Sequence, residues 1–443
     1  MKRRQLMNLA TLRMALVSGV LACVFVPAGF AGIVDVGPPT GVDDYALLQG
    51  AIIGNPGEML MLQQGTYEMG GNMLVIPHGL TLVGQKDGDG ALLTTINSSA
   101  DYGIFVNCIG ASANDEVVFK DLAITTYGPV IAQLPLDMGT MQFVPGGGNL
   151  TVDGCYLENQ TLFTIMAHRL DDTALRVRNS ELVTHGDDCI RLNFSSYSVL
   201  EVDNCVLDLS EITNPNIVGY WDPDELYPIV FPQDGVEVLN GYIGWEWLSW
   251  QTPDDSEAYI TNNTMLTGNP FVAGTQATRG MGFNLLHGTA LIEGNTIHVP
   301  VAGGGMTFDD LNYCDDVLIK NNTIHGSPEY YGTYSNAVEL VGLEDPKGKT
   351  GGHVKFMHNK LVGHFAVAVD AYFGVYKNTF VNNDFSEATM NGFAPWGIVP
   401  VHYSFFYETG KNSVTDSSGG EITYSDYPDA NHFQGNATFI RIE

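Results

Sequence analysis

The sequence predicts an all-β solenoid, a parallel β-helix of stacked short-stranded coils with one short capping helix at its start. Three observations predict it. First, a phrase recurs in which an apolar anchor follows an Asn, Gly or Asp: Asp121-Leu-Ala-Ile124, Gly154-Cys-Tyr-Leu157, Asn179-Ser-Glu-Leu182, Asn204-Cys-Val-Leu207, Asn262-Asn-Thr-Met265, Gly294-Asn-Thr-Ile297, Asn321-Asn-Thr-Ile324, His358-Asn-Lys-Leu361 and Asn382-Asn-Asp-Phe385. Second, the anchors lie 24 to 58 residues apart, with the shortest intervals near 25. A period in that range, built from strands alone, means stacked β-coils. Leucine-rich repeats share the period but need an L-x-x-L-x-L-x-x-N frame, which is absent. Third, the apolar runs are about four residues long and are closed by Gly or Pro, and 51 of the 443 residues are Gly.

Residues 1–31 read as a leader rather than as part of the fold. Lys2-Arg3-Arg4 is a basic start, Met14 to Pro27 is mostly apolar, and Gly29-Phe30-Ala31 is a small-x-small cleavage site before Gly32. The apolar core is short for a membrane span, so export is expected, to the outside, periplasm or cell surface of a bacterium. Val20-Leu-Ala-Cys23 is a loose lipoprotein box, with Leu21 bulky where a smaller residue is preferred, and offers Cys23 as a competing lipid anchor. The leader holds four of the 19 basic residues and no acid, which leaves 15 Lys+Arg against 50 Asp+Glu and a formal charge of −35. So acidic a chain is not expected to bind DNA or RNA. It also lacks a general electrostatic grip on acidic polysaccharides, unless a metal or a local basic patch intervenes.

The remaining 32–443 form one domain, expected as a monomer. Its N-terminal cap is 41–84. There Gly41 to Ile53 is a short amphipathic helix, with Asp43 or Asp44 as N-cap and Tyr45, Leu48 and Ile52 on one face. Met59-Leu-Met-Leu62 follows, then a turn at Gln64-Gly-Thr-Tyr67, then Met73 to Ile76 and Leu80 to Val83. Two residues before the later anchors stand Cys155, Ser180, Cys205, Asn263, Asn295, Asn322, Asn359 and Asn383. In stacked coils these superpose, and the five asparagines form an amide ladder inside a turn. Cys155 and Cys205 fall two coils apart, roughly 10 Å at about 4.8 Å per coil. That is beyond disulfide reach of about 7 Å, so buried free thiols are expected. An insertion at 211–258 carries Trp221, Trp245, Trp247 and Trp250 among tyrosines and acids; it suits stacking on sugar rings or, equally, a mini-core of its own. The aromatic stretch 391–443 reads as a C-terminal cap.

The assembled pattern resembles the right-handed parallel β-helix of the pectate-lyase superfamily. The resemblance lies in Gly41 to Ile52 as the opening helix, in Pro56 to Leu62, Gly65-Thr-Tyr67 and Leu80-Thr-Leu-Val-Gly84 as the first coil, and in the repeat beyond. It implies the fold and leaves the activity open among lyases, hydrolases, epimerases, adhesins and phage spikes. Gly186-Asp-Asp-Cys-Ile190 is similar to the paired-aspartate motif of polygalacturonase-type glycoside hydrolases. In those, two aspartates act with a third from the neighbouring coil, one as acid and the others activating water; this implies catalytic roles for Asp187 and Asp188. The chain departs from the pattern. Leu162-Phe163 and Ile212-Thr213 stand one period either side where the partner Asn-Thr-Asp-Gly is missing, and Gly-His-Gly and Arg-Ile-Lys are absent. Inverting hydrolysis needs carboxylates about 6.5–9.5 Å apart, whereas Asp309-Asp310 lies at least three coils away, roughly 14 Å. Gly-Asp-Asp also occurs simply as a turn.

Arg169, Arg176, Arg178 and Arg191 fall within 23 positions, with His168 and His185 among them, and from 192 to 319 the only basic residue is Arg279. Arg176 and Arg178 flank an inward Val177, and Arg191 sits between inward Ile190 and Leu192, so all three point outward. A lyase or C5-epimerase acting on a uronate needs such a set: a cation to neutralise the carboxylate, a base to take the C5 proton, and aspartates for a bridging metal. The other reading pairs the arginines with Asp171, Asp172, Asp187 and Asp188. No ligand set for a metal is recognisable. Calcium is left open by Asp87-Gly-Asp-Gly90, Asp309-Asp310 and Asp315-Asp316. The expectation is a protein acting on a polysaccharide or surface glycan, lyase-like or hydrolase-like. Its catalytic candidates are Asp187, Asp188, His185, Arg191 and His168, and its binding candidates are Arg169, Arg176, Arg178 and the four tryptophans. The alternative is a non-catalytic glycan-binding or surface protein.

Overall fold

A computed structural model describes residues 32–107, 115–134, 136–137, 142–143, 148–161, 163–168, 173–186, 188–193, 199–210, 220–221, 228–229, 233–239, 256–266, 278–284, 288–299, 304–309, 314–326, 336–341, 353–365, 367–372, 379–381, 383–390 and 432–434. The leader 1–31 with Cys23, and Cys108, lie outside them. The described residues form a parallel β-helix. Three parallel sheets of 13, 11 and 10 strands run along the stack. Each coil lends one strand to each sheet in turn. Ala174–Arg178 belongs to the first sheet, Glu181–Thr184 to the second and Ile190–Asn193 to the third; Val199–Asp203 then returns to the first. The register keeps like over like. Val152, Val177, Val202 and Ile260 superpose in the first sheet and are fully buried. In the third sheet Phe283 stacks on Phe308 with ring centroids 4.7 Å apart. Each such inward side chain contributes about 1.5–3 kcal/mol of burial.

The corner between the first and second sheets is two residues long. Its first residue takes the left-handed conformation: Asp121, Asn179, Asn204, Asn262, Asn321 and His358 have φ between 51° and 57°, and Gly154 and Gly294 have 67° and 70°. Only Gly, and with some cost Asn or Asp, visits that region readily, which is why these types open the repeated phrase. The second corner residue points inward and makes the expected ladder. Asn295 Oδ1 accepts from the backbone N–H and side-chain amide of Asn263 at 2.9 and 3.0 Å, and its own amide donates to Ile260 O and Asn322 Oδ1, both at 2.9 Å. Asn322, Asn359 and Asn383 repeat the pattern. Cys155, Cys189 and Cys205 are buried free thiols. Burial pushes Cys155 and Cys205 up to about 12 and raises Cys189 well above the usual thiol range, so they are poor nucleophiles.

At the N-terminal end Tyr45–Gly54 is the capping helix, with Leu48 and Ile52 buried against the first coil and Tyr45 packed beside them. Three expectations about local structure change here. The helix starts at Tyr45, four residues later than expected; Asp44 holds the expected N-cap position through its backbone carbonyl and not its side chain, and Asp43 Oδ1 accepts from Tyr45 N at 3.2 Å. The buried Asp44 carboxylate accepts instead from the backbone N–H groups of Thr40, Gly41 and Glu68, tying the lead-in to the first coil. Gln64 to Tyr67 is not a turn, because Gly65–Glu68 opens the second sheet and pairs with Thr94–Ser98. The interval 211–258 is not all insertion either. Its Gln233–Leu239 is the third-sheet strand of its coil, between Ile190–Asn193 and Thr278–Asn284, and Ser256–Thr261 is the next first-sheet strand. The periodicity missed these because the extra loops stretch the spacing of that coil. In the C-terminal 391–443 only His432–Gln434 is described, extending the first sheet beside Thr379–Val381. No helix among the described residues is long and apolar enough to cross a membrane.

Candidate functional site

The corner between the second and third sheets carries the described candidate chemistry. Ser98, Thr126, Asn159 and Thr184 superpose there on successive coils, all buried. Each turns its side chain onto the backbone of the loop that follows. Ser98 Oγ accepts from Ala100 N and Thr184 Oγ1 from Gly186 N; Thr126 Oγ1 donates to Gly128 O and the Asn159 amide to Thr161 O. Short polar side chains fit this task because they replace the hydrogen bonds a chain loses on leaving a sheet. The loops then stack directly: a Cβ on Gly128 would overlap the backbone of Asp101. Tyr102 and Tyr127 lie on these two neighbouring coils and are 40% and 52% exposed. One coil further on, the Arg191 guanidinium lies 4.3 Å from the centroid of Phe163, a cation–π contact.

The Asp188 side chain is fully buried, and its Oδ2 accepts from Arg191 Nε at 2.5 Å. His185 Nε2 is 3.1 Å from Glu158 Oε1, with both side chains partly exposed. Glu158 comes from the second-sheet strand Tyr156–Asn159, so the contact crosses one coil. Asp188, Arg191 and His185 therefore share this corner. Arg176 and Arg178 do not. They are on the outer face of the first sheet, where Arg178 grips Glu201 through two bonds of 2.7 and 2.6 Å, and Arg176 lies 3.7 Å from both Glu116 and Glu201. The Glu201 carboxylate, with burial opposing it, holds the Arg178 guanidinium above its ordinary range. The arginines thus form ion pairs, but with Glu116 and Glu201 as well as Asp188, and the basic cluster is split over two faces of the solenoid. Strands three residues apart in a coil belong to different sheets, which linear clustering does not reveal. The backbone of His168 is in the third sheet beside Asn193. Trp221 is in a two-stranded antiparallel ribbon with Pro228. Arg169, Asp187, Trp245, Trp247 and Trp250 lie outside the described residues, as do Asp171 and Asp172.

Tyr102, Tyr127, Phe163 and Glu158 were not among the sequence candidates. A partial signal was available: Tyr127 and Glu158 are adjacent to the corner residues Thr126 and Asn159, and Tyr102 and Phe163 follow Ser98 and Asn159 by four residues.

Among the described residues no three His, Cys, Asp or Glu side chains come together as a metal site. Asp87 is engaged in its own turn, accepting from Asp89 N and Ala91 N, and Asp316 pairs with Lys355 at 3.0 Å.

In overall shape the chain is similar to several solved proteins. The catalytic unit of a GH87 α-1,3-glucanase from Streptomyces thermodiastaticus matches at 15% identity over 94% of this chain and 70% of that one, with a TM-score of 0.38. The A-module of the Azotobacter vinelandii mannuronan C-5 epimerase AlgE6 matches at 12% over 90% and 95%, TM-score 0.44. The Streptococcus pneumoniae surface adhesin PfbA matches at 13% over 81% and 82%, TM-score 0.36. No protein-family model matches the chain, and no curated protein matches it in sequence. Likeness at this level is likeness of stacked coils alone.

Proposed function

We propose that the chain is an exported glycan-binding β-helix whose binding surface is the corner between the second and third sheets. The observation that carries the proposal is the pair of exposed tyrosines, Tyr102 and Tyr127, one coil apart. An aromatic ring offers an apolar face to the C–H face of a sugar and a hydroxyl to its rim. The two residues stand on adjacent coils, which are about 4.8 Å apart along the axis, and offer two stacking faces to a chain of sugars. The charged groups further along the same corner, two coils beyond Tyr127, favour binding over chemistry. Asp188 is buried and held by Arg191, and breaking such a pair is costly, so both are engaged in holding the corner.

A second reading, polysaccharide lyase or hydrolase, is favoured by one observation: the partly exposed His185–Glu158 pair has the form of a general base and its orienting carboxylate. In that reading Asp187 and His168 complete the chemistry, with Arg169 and the tryptophans of 211–258 on the substrate.

One experiment separates the two. The purified protein is titrated with neutral glycans and polyuronates, with and without calcium, while ultraviolet absorbance and reducing ends are followed. Retained binding with no turnover is expected, and Tyr102→Ala combined with Tyr127→Ala weakens binding at least tenfold. Turnover that disappears in His185→Ala while binding persists would establish the enzyme instead.

A further inference from the structure

We propose that removal of the leader completes the first coil by giving Glu58 its partner: the new α-ammonium group of Gly32. The first described strand, Ile33–Asp35, pairs in parallel with Met59–Met61, and Met59 N donates to Gly32 O at 3.3 Å. Gly32 is thereby fixed at the edge of the first sheet, directly beside Glu58. Glu58 Oε2 is buried and has no hydrogen-bond partner. A Cβ placed on Gly32 would stand 3.0 Å from that oxygen and 3.8 Å from the carboxyl carbon. The backbone nitrogen of Gly32 is two bonds from the same point, so a small rotation of the Glu58 side chain brings the carboxylate to it.

Three facts converge on one position. A buried carboxylate oxygen without a partner carries a desolvation cost that a cation removes. Gly32 is the residue that follows the small-x-small cleavage site Gly29-Phe30-Ala31. A side chain there would meet the same carboxylate oxygen, which shows how closely Gly32 and Glu58 approach. While Ala31 remains attached, the Gly32 nitrogen is a neutral amide. A leader-removing endopeptidase cleaves the Ala31–Gly32 bond with one water: the hydroxyl goes to the Ala31 carbonyl, a proton goes to the Gly32 nitrogen, and the amine takes up a second proton. At neutral pH most of an α-amine with an ordinary pKa of about 7.7–8.0 is charged. Processing is thus coupled to the stability of the end of the solenoid, where strand pairing begins.

The test uses the exported chain, its N-terminus read by mass spectrometry, alongside the same chain bearing an Nα-acetyl group and Glu58→Gln versions of both. The free-amine chain is expected to begin at Gly32 and to melt about 1–3 °C above the acetylated chain. Glu58→Gln abolishes that difference. The pH dependence of amine labelling should show a Gly32 amine more basic than an ordinary one, returning to the ordinary value in Glu58→Gln. Equal melting of the free and acetylated chains, a difference that survives Glu58→Gln, an ordinary amine, or an N-terminus other than Gly32 would each overturn the proposal.

Discussion

The turn between the first and second sheets is built in two ways along one solenoid. From Asn263 to Asn383 its inward residue is always an asparagine. On the three coils before that it is Cys155, Ser180 and Cys205. An asparagine has a donor and an acceptor that both lie along the stack, so each rung satisfies the next. Ser180 manages less: its Oγ accepts from Cys155 N at 3.1 Å and donates to Arg178 O of its own coil at 2.6 Å. Cys205 offers only a weak donor, 3.5 Å from Val177 O and 3.3 Å from Asp203 O. Both regions carry further pairs outside the turn. On the later coils Lys320 pairs with Glu293 and Lys355 with Asp316. On the earlier coils Arg178 holds Glu201, Asn179 donates to Asp153 Oδ1 and Asn204 donates to Asn179 Oδ1. The earlier coils are also those that bear Asp188, Arg191 and His185. The repeated interior amide is thus an addition to surface pairs on the later coils, while the earlier coils vary in both their interior turn residue and their surface.

The sharpest way to break this contrast is Asn295→Ala. It removes four hydrogen bonds at once and leaves Ile260 O and Asn263 N buried without these partners. A loss of about 3–5 kcal/mol in urea denaturation is expected. A loss below about 1 kcal/mol would mean that the ladder records the stack without supporting it. Ser180→Ala is the matched change in the other region and is expected to cost about 1–2 kcal/mol, chiefly from the orphaned Cys155 N–H. Cys205→Asn extends the ladder by one rung toward the N-terminus. Cys205 N already donates to Asn263 Oδ1 at 2.9 Å, so the backbone is in ladder geometry. Stability within about 1 kcal/mol of the parent is expected; a large loss would show that amide and thiol coils differ in backbone as well as in side chain.

The same contrast explains what was legible in the sequence. The recurring Asn, Gly and Asp positions, the amide ladder and the buried thiols are all consequences of a repeated local phrase. Repetition along a chain becomes superposition in a solenoid. The first-coil strand at Gly65–Glu68 was hidden because glycine and threonine read locally as a turn, while the strand exists through its pairing with Thr94–Ser98. The candidate site was legible only in part. Asp188, Arg191 and His185 were found because they are adjacent in sequence. Glu158 and Phe163 were missed because their partnership is set by stacking one coil away. Arg176 and Arg178 stand apart from Arg191, since a two-residue corner, the strand Glu181–Thr184 and the loop after it carry the chain from one face to another.

The outer row of the second sheet offers the smallest and cleanest test. On the earlier coils the row holds Glu158, whose carboxylate lies against His185 just past the next strand. On the later ones His298 and His325 superpose and stack on each other, centroids 4.8 Å apart and ring planes nearly parallel. Burial, with His298 and then Lys360 adding to it, holds His325 below the ordinary imidazole value of 6.5, and Glu387 acts the other way. The folded chain therefore keeps His325 neutral at a pH where the unfolded chain has already protonated it. Between the ordinary value and the lower folded one the unfolded state binds more protons, so stability rises with pH and falls as pH drops below about 6.5. His325→Gln should flatten that part of the profile while leaving stability near neutral pH little changed, as read from denaturation midpoints between about pH 5 and pH 8. Equal slopes for parent and variant would place the acid sensitivity elsewhere. A flattened slope would show that a row of identical residues stabilises the stack when it is amide, and becomes a point of weakness in acid when it is imidazole.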